Sequence, residues 1–320
     1  MDRYINHYHV NKDQVINMAN SKAGYVTILG KPNAGKSTLM NALLGQKISI
    51  TTAKPQTTRK RILGILSDEN YQIIFLDTPG ILEPAYLLQQ KMAEEIDLSV
   101  HDADIIILLI DIEADPEGEA TLKDELVAKL MERNKKTKIL ILNKADRSTQ
   151  DHMKSVIKKF EVGKNFNAII PVSASLGYNI SSVLNAIVEN LPENPKFYPD
   201  DIVSDENERF FVSEIIREKL FELYMEEVPY SCEVLIIDFK ERKDKKYFIQ
   251  AEIVVEKESQ KGIIIGKQGT AIKNLGQNSR KSIEEFLQHD VYLDLRVKVR
   301  AKWRSDEKML KLFGYTRDKE

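Results

Sequence analysis

Gly30-Lys31-Pro32-Asn33-Ala34-Gly35-Lys36-Ser37 decides the fold of the first half of this chain. It fits the pattern G-x-x-x-x-G-K-[S/T]. It stands between an apolar run at 25–29 and an amphipathic stretch at 36–44, so it reads as strand, phosphate loop and helix. Its glycines let backbone N–H groups wrap phosphate oxygens. The helix that begins near Lys36 turns its positive end toward the same oxygens. Lys36 is placed to neutralise β- and γ-phosphates, and Ser37, with Thr38 beside it, to put a hydroxyl on Mg²⁺.

Outward from this loop, three more motifs each follow an apolar run. Asp77-Thr78-Pro79-Gly80 ends the run IIFLD. Asp77 stands where a Mg²⁺-supporting carboxylate belongs, and Gly80 offers a backbone N–H to the γ-phosphate and a hinge to the loop after it. Asn143-Lys144-Ala145-Asp146 selects the base. The Asp146 carboxylate can accept from guanine N1–H and the 2-amino group together, whereas adenine has an unprotonated N1 there. Asn143 is expected to brace the loops and the Lys144 stem to lie on the base plane. Ser173-Ala174-Ser175 comes last, with the Ala174 N–H expected to meet guanine O6. Alone, this last turn would be unremarkable.

Between the first two motifs lies Thr51-Thr52-Ala53-Lys54-Pro55-Gln56-Thr57-Thr58-Arg59, polar and poor in apolar anchors. Such a segment can order around Mg²⁺ and a γ-phosphate and loosen after hydrolysis. Thr58 is the first choice for the hydroxyl that senses the metal, with Thr57 second. The expected ligand set is Ser37, Thr58 and Asp77; hydrolysis is assigned to Lys36, Thr58 and Gly80. Many small GTPases place a water-orienting glutamine after this glycine. Here it is Ile81, which cannot hydrogen-bond water, so intrinsic hydrolysis should be slow or use another group or ion.

Strand-like runs at 25–29, 62–66, 72–76, 105–110, 139–142 and 168–172 alternate with helix-like stretches at 36–44, 89–100, 119–133, 151–160 and 180–189. That alternation predicts a doubly wound α/β domain with a mostly parallel sheet. Ligands then sit outside the carboxyl ends of the strands, where all four motifs converge. The proline-rich, acidic segment 192–206 breaks the pattern and reads as a linker. Beyond it the order changes: a helix at 209–224, strands at 233–239 and 247–255 joined by a charged turn at 241–244, a glycine loop, a helix at about 270–287, a strand at about 291–299 and a last helix at about 305–313. This predicts a smaller α+β domain. The expected division is an extension at 1–22, the nucleotide domain at 23–191, the linker at 192–206 and the second domain at 207–320.

The loop in the second half is Gly266-Lys267-Gln268-Gly269. Two glycines admit a nucleic-acid backbone and Lys267 adds a phosphate partner; KH domains clamp about four nucleotides with such a loop. Lys273, Arg280 and Lys281 on the following helix extend the basic surface. The stretch Arg296-Val297-Lys298-Val299-Arg300-Ala301-Lys302-Trp303-Arg304 alternates basic and apolar residues. It is either a stripe that tracks phosphates or a half-buried strand with a solvated basic face. Trp303 fits a domain core better than a base stack.

A chain of 320 residues can hold two domains. A net charge of −2 does not by itself advertise nucleic acid, so local charge must carry that argument. One cysteine, Cys232, allows no internal disulfide and no cysteine-cluster metal site, which points to a reducing cytoplasm. No signal peptide is visible and no apolar run is long enough to span a bilayer. His101, His152 and His289 lack metal-ligand spacing, and the near-pair His7 and His9 reads as incidental.

NAGKST, PQTTR and DTPG in this order, followed by a KH-like domain carrying GKQG and by FFVSEIIREKLF after the linker, closely resemble the Era-type GTPases of the TrmE–Era group. The match runs from about residue 23 to 313. The resemblance implies a P-loop GTPase domain followed by a KH (type II-like) domain, using GTP, GDP and Mg²⁺. It also implies binding to the 3′ region of small-subunit ribosomal RNA, a part in 30S assembly, a monomeric state and peripheral membrane association. In related GTPases an asparagine placed like Asn33 accompanies a potassium ion. Two other readings stay open: a GTPase of the same group acting in tRNA modification or cell-cycle and membrane signalling, and an RNA-binding protein whose nucleotide site is only structural.

Overall fold

The computed structural model describes residues 21–52, 54–132, 135–243 and 245–315. The extension at 1–20, Ala53, the end of the expected 119–133 helix, Asp244 in the charged turn, and His7 and His9 lie outside the described residues.

The nucleotide half is one six-stranded sheet in the order β2-β3-β1-β4-β5-β6. Its strands are β1 Lys22–Leu29, β2 Ile62–Ser67, β3 Tyr71–Asp77, β4 Ile105–Asp111, β5 Thr137–Asn143 and β6 Ala168–Pro171. Only β2 runs antiparallel to its neighbour. The central strands β1, β4 and β5 are apolar on both faces because helices cover both faces. On one side, Val26, Ile28, Ile107 and Ile141 pack under α1 (Lys36–Leu44) and α6 (Ile180–Asn190). On the other, Leu29, Ile106, Leu108 and Leu140 pack under α2 (Leu87–Asp102), α4 (Glu125–Glu132) and α5 (Gln150–Gly163). This double layer fixes the strand ends on which the motifs sit.

One local expectation is corrected, and the linker gains a structural role. The helix expected at 119–133 is two pieces, α3 (Glu119–Leu122) and α4. The break falls at Asp124, whose carboxylate accepts from the N–H groups of Leu126 and Val127 and caps a new helix. The linker at 192–206 is no free spacer. Ile65 N–H donates to Val203 O at 2.9 Å, Ser204 Oγ to Leu63 O, and the Gln72 amide takes the N–H groups of Phe197 and Tyr198. β2 is an edge strand whose open backbone groups need partners, and this segment supplies them.

The second half is a three-stranded sheet, β7 (Glu233–Lys240), β8 (Tyr247–Val255) and β9 (Val291–Val299), with β9 parallel to β8. Helices α7 (Glu208–Leu223), α8 (Glu258–Ile265) and α9 (Thr270–Leu287) pack on it around Ile216, Leu220, Ile249, Ile253, Ile264 and Ile283. Helix α8 was not expected: Ile263-Ile264-Ile265 is the end of a helix, started where the Gln260 side chain accepts the Lys257 N–H. Helix α10 (Glu307–Leu312) closes the chain. Trp303 is fully buried and donates its indole N–H to Ser231 O at 2.9 Å. With Val254, Leu310 and Phe313 it packs against Leu88 and Met92 of α2, so the two halves share a small core.

Candidate functional site

A cavity of about 390 Å³ opens at the carboxyl ends of the strands of the larger sheet. Pro32, Asn33, Gly35, Lys36, Ser37, Thr38, Thr58, Gly80, Asn143, Lys144 and Asp146 line it, joined by Gln56, Glu113, Arg147 and Ser175.

The turn at 30–37 has its shape because alternatives clash. A Cβ on Gly30 would sit 2.6 Å from Leu109 O, and one on Gly35 would sit 2.3 Å from the Asn143 amide, on a backbone with φ +97°. Lys36 is buried, and its ammonium donates to Gly30 O and Lys31 O, both at 3.1 Å. Burial lowers its pKa to about 8, partly opposed by Asp77. It is a desolvated cation whose hydrogen bonds among the described residues go to carbonyls, which suits a phosphate oxygen. Lys31 turns away instead, to pair with Asp124 at 3.2 Å. Ala34 lies beneath the turn and hands its carbonyl to Asn143.

Ser37 Oγ lies 2.7 Å from Asp77 Oδ2 and 2.9 Å from Thr58 Oγ1, and Thr58 Oγ1 lies 3.3 Å from the same carboxylate oxygen. Thr58 is 5% exposed, and no such contact reaches Thr57 among the described residues. The other oxygen, Asp77 Oδ1, is buried with no hydrogen-bond partner among the described residues, and burial pushes this carboxyl above its ordinary pKa. Two hydroxyls and an underserved carboxylate form an oxygen set that fits a hard divalent cation, whose charge would reverse that penalty. Thr78 is tied to Ile28 O at 2.8 Å, and Pro79 is buried behind it. Gly80 has no room for a side chain, since a Cβ would meet Pro32 at 2.8 Å.

Asn143 braces the site: its Nδ2 donates to Ala34 O at 2.8 Å and its Oδ1 accepts the Ala174 N–H at 3.1 Å. In this structure the Ala174 N–H, expected to meet guanine O6, is held by the buried Asn143 amide. Ser173 is also buried, and Ser175 is the member of this turn that reaches the cavity. Lys144 has φ +61° and an ammonium 2.6 Å from Asp111 and 3.2 Å from Glu113. Burial opposes its charge, but these two carboxylates hold its pKa above the ordinary value. The stem is thereby stretched along the cavity wall. Asp146 faces the opening beside Arg147, at 3.3 Å. Neither the Asp111–Glu113 pair nor Arg147 was singled out in the sequence, since no motif marks them.

The second loop is built otherwise. Gly266 has φ +72°, Gln268 φ +51° and Gly269 φ +76°. Lys267 and Gln268 are exposed, and nothing lies within 4 Å of a Cβ built on Gly269. Lys273 and Arg280 are exposed on α9, the latter 3.9 Å from Glu284. Part of the basic stretch is paired: on β9 Arg296 pairs with Asp294 and Lys298 with Glu252, and in the turn beyond it Arg304 pairs with Glu256. Arg296, Lys298, Arg300 and Lys302 nevertheless remain exposed.

The two sites are joined through the 51–59 segment. Thr51 N–H donates to Glu218 Oε1 at 3.1 Å, and Lys54 donates to the carbonyls of Phe221 and Tyr224 at the end of α7. Arg59, next to Thr58, is buried and binds the carbonyls of Cys232, Pro229 and Tyr230 and the Glu233 carboxylate.

Fold and site together define a P-loop GTPase carrying a KH module. The comparisons agree. A 50S ribosome-binding GTPase family model matches residues 25–144 and a KH domain model matches 227–304. GTPase Era of Clostridium novyi is 42% identical over 92% of this chain and 99% of its own. A chloroplastic Era-like GTPase of Oryza sativa is 46% identical over 93% of this chain and 70% of its own. Among solved structures, an Aquifex aeolicus Era variant bound to GDP·AlF4⁻ superposes with a TM-score of 0.85 at 38% identity, covering 92% of this chain and all of that one. Era in complex with MgGDPNP and nucleotides 1506–1542 of 16S ribosomal RNA gives 0.86 at 38%, covering 93% and all of that chain. The chain belongs to the Era family of GTPases.

Proposed function

We propose that this chain is a GTP-hydrolysing switch that binds the 3′ region of small-subunit ribosomal RNA and assists 30S assembly in the cytoplasm. The observation that carries the reading is the bonding of the 51–59 segment, which holds Thr58 at the metal site, to the helix and turn of the RNA-binding half. The units of the switch are the nucleotide domain at 23–191 and the KH domain at 207–320, with 192–206 between them.

The hydrolysis is phosphoryl transfer from GTP to water. Mg²⁺, when bound, offsets negative charge on the β- and γ-phosphates. Ser37, Thr58 and Asp77 would hold it. Lys36 supplies the neighbouring positive charge, and the Gly80 N–H orients the γ-phosphate. Asp146 reads guanine, with Asn143 fixing the loops around it. Asn33, at φ +64° on the cavity wall, would stand beside a potassium ion. Unchanged hydrolysis when sodium replaces potassium would remove that ion from the scheme.

Gly266, Lys267, Gln268 and Gly269 clamp the RNA backbone, with Lys273 and Arg280 guiding it. Among the described residues no helix is long and apolar enough to cross a membrane. The tRNA-modification alternative needs a reactive thiol. Cys232 is fully buried, and burial pushes its thiol up to about 12, so it cannot supply a thiolate.

The reading is tested with an oligonucleotide of the small-subunit ribosomal RNA 3′ end. Binding that survives competition by unrelated RNA and is lost in Gly269→Asp, with GTP hydrolysis retained, supports it. Equal binding of unrelated RNA refutes the assignment of the partner.

A further inference from the structure

Nothing at position 81 can orient the attacking water. Ile81 is 5% exposed, packs with Leu29 and Ile96, and its N–H is used on Gly30 O at 3.0 Å. The question is which other side chain in the cavity has the right chemistry and a reason to be held there. Gln56 meets both conditions.

Gln56 lines the same cavity as Lys36, Ser37, Thr58 and Gly80. It follows Pro55 and has φ +59°. A residue in that region after a proline is the place where a turn prefers glycine, because a side chain there is strained. A glutamine held in this conformation at a cavity wall is a backbone outlier of the kind that collects at functional sites.

The side chain is also fixed. Gln89 on α2 is 7% exposed and its Oε1 accepts the Ala85 N–H at 2.8 Å. A backbone N–H can only donate, so the orientation of the Gln89 amide is set. Its Nε2 then faces Gln56 and donates to Gln56 Oε1 at 3.2 Å. Gln56 must therefore turn its oxygen toward Gln89 and keep its Nε2 hydrogens for other partners. The chain Ala85–Gln89–Gln56 links the segment after Gly80 to the segment that holds Thr58. It is seen with Ser37, Thr58 and Asp77 gathered, the arrangement in which the metal ligands are assembled.

We propose that Gln56 is the catalytic residue that orients the attacking water, and that Gln89 is its positioning residue. This rests on the GTPase reading of the site. The amide takes no proton. An N–H of Gln56 donates to the water oxygen and holds its free lone pair toward the γ-phosphorus. The new P–O bond forms as the bond to the β–γ bridging oxygen breaks, GDP leaves with that electron pair, and both water protons leave on the released phosphate as dihydrogen phosphate, one on the new oxygen and one passed to another phosphate oxygen.

The test uses the full chain with three substitutions: Gln56→Gly, Gln56→Glu and Gln89→Ala. Gln56→Gly is the deciding variant, because glycine relieves the backbone strain while deleting the amide. Its melting temperature should hold or rise. Its kcat should fall about 10- to 100-fold with KM and fluorescent-GDP affinity within about twofold. The fluorescence response to aluminium fluoride, which with GDP mimics the transferring phosphoryl group, should be lost. Gln56→Glu should restore little, since a carboxylate cannot donate, and Gln89→Ala should fall roughly 3- to 10-fold by loosening Gln56. Unchanged kcat in Gln56→Gly, or a fall matched by lost nucleotide affinity, would overturn the proposal. Tight GTP binding without hydrolysis by the unaltered protein would instead overturn the GTPase reading itself.

Discussion

The two glycine loops differ in what the rest of the molecule demands of them. At 30–37 the fold leaves no freedom: Gly35 faces the Asn143 amide, Gly30 faces the Leu109 carbonyl, and Gly80 lies on Pro32 from the opposite side. At 266–269 the first glycine is confined too, since a Cβ on Gly266 would meet Ala271 at 2.6 Å, but the far end stands in the open, with Gly269 facing nothing and Lys267 and Gln268 in solvent. The first loop is shaped from within, to enclose a small charged ligand whose contacts are set in advance. The second is shaped from without, by the need to let a polymer backbone come close. Gly35 serves packing and Gly269 serves access, so the same substitution should act very differently at the two positions.

The largest effect is expected at Gly35. Gly35→Ala forces a methyl onto the Asn143 amide and should weaken GDP binding by roughly 100-fold or more, read by fluorescent-nucleotide titration. Gly269→Ala has only backbone strain to meet, about 1 kcal/mol, and should leave nucleotide affinity unchanged. Equal losses in the two variants would erase the contrast. Next is Asp146→Ala, which removes a charged acceptor for the guanine edge. The preference for GTP over ATP should fall roughly 100-fold in competition binding. On the open loop, Gly269→Asp brings a carboxylate to the phosphates and should weaken RNA binding about 10- to 100-fold, with the melting temperature little changed.

The pH response is smaller. Lys36 in the free protein has a pKa of about 8, and bound phosphates must raise it. Nucleotide binding therefore takes up a proton above about pH 8, and the nucleotide Kd should rise by up to about tenfold per pH unit there. Below that pH the lysine is already charged and the dependence should vanish.

How much of this was legible in the sequence follows from the same contrast. The phosphate loop, the metal carboxylate and the base clamp could be placed because ligand chemistry dictates their residue types at short spacing. Asn143 was legible as a brace, but its claim on the Ala174 N–H was not. That depends on a side chain 31 residues away finding a buried partner. The choice between Thr57 and Thr58 turned on a loop without periodicity. Both line the cavity, and it is Thr58 whose hydroxyl contacts Ser37 and Asp77. Helix α8 was hidden because it is short and contains Gly262, so its apolar end read as a separate run. The basic strand at 296–304 looked available because its partners Glu252 and Glu256 come from β8 and the turn after it, which only register reveals. The linker's docking onto β2 was invisible for a similar reason: a proline-rich composition does not say which strand edge needs covering.

The link between the loops is the part neither motif foretells. The 51–59 segment touches Ser37 and Asp77 through Thr58 and the second domain through Thr51, Lys54 and Arg59. We propose that a γ-phosphate holding Thr58 also steadies the segment on α7, and that its loss releases both. Lys54→Ala should cut this tie while leaving both binding sites intact, so that RNA affinity no longer depends on the nucleotide.

The most direct test is the affinity of a small-subunit ribosomal RNA 3′-end oligonucleotide, measured by anisotropy at fixed salt, with a non-hydrolysable GTP analogue and with GDP. The account predicts binding at least about tenfold tighter with the analogue, a coupling of about 1.4 kcal/mol, shrinking toward none in Lys54→Ala. Equal affinities in the two nucleotide states would show that the loops work independently and contradict the account.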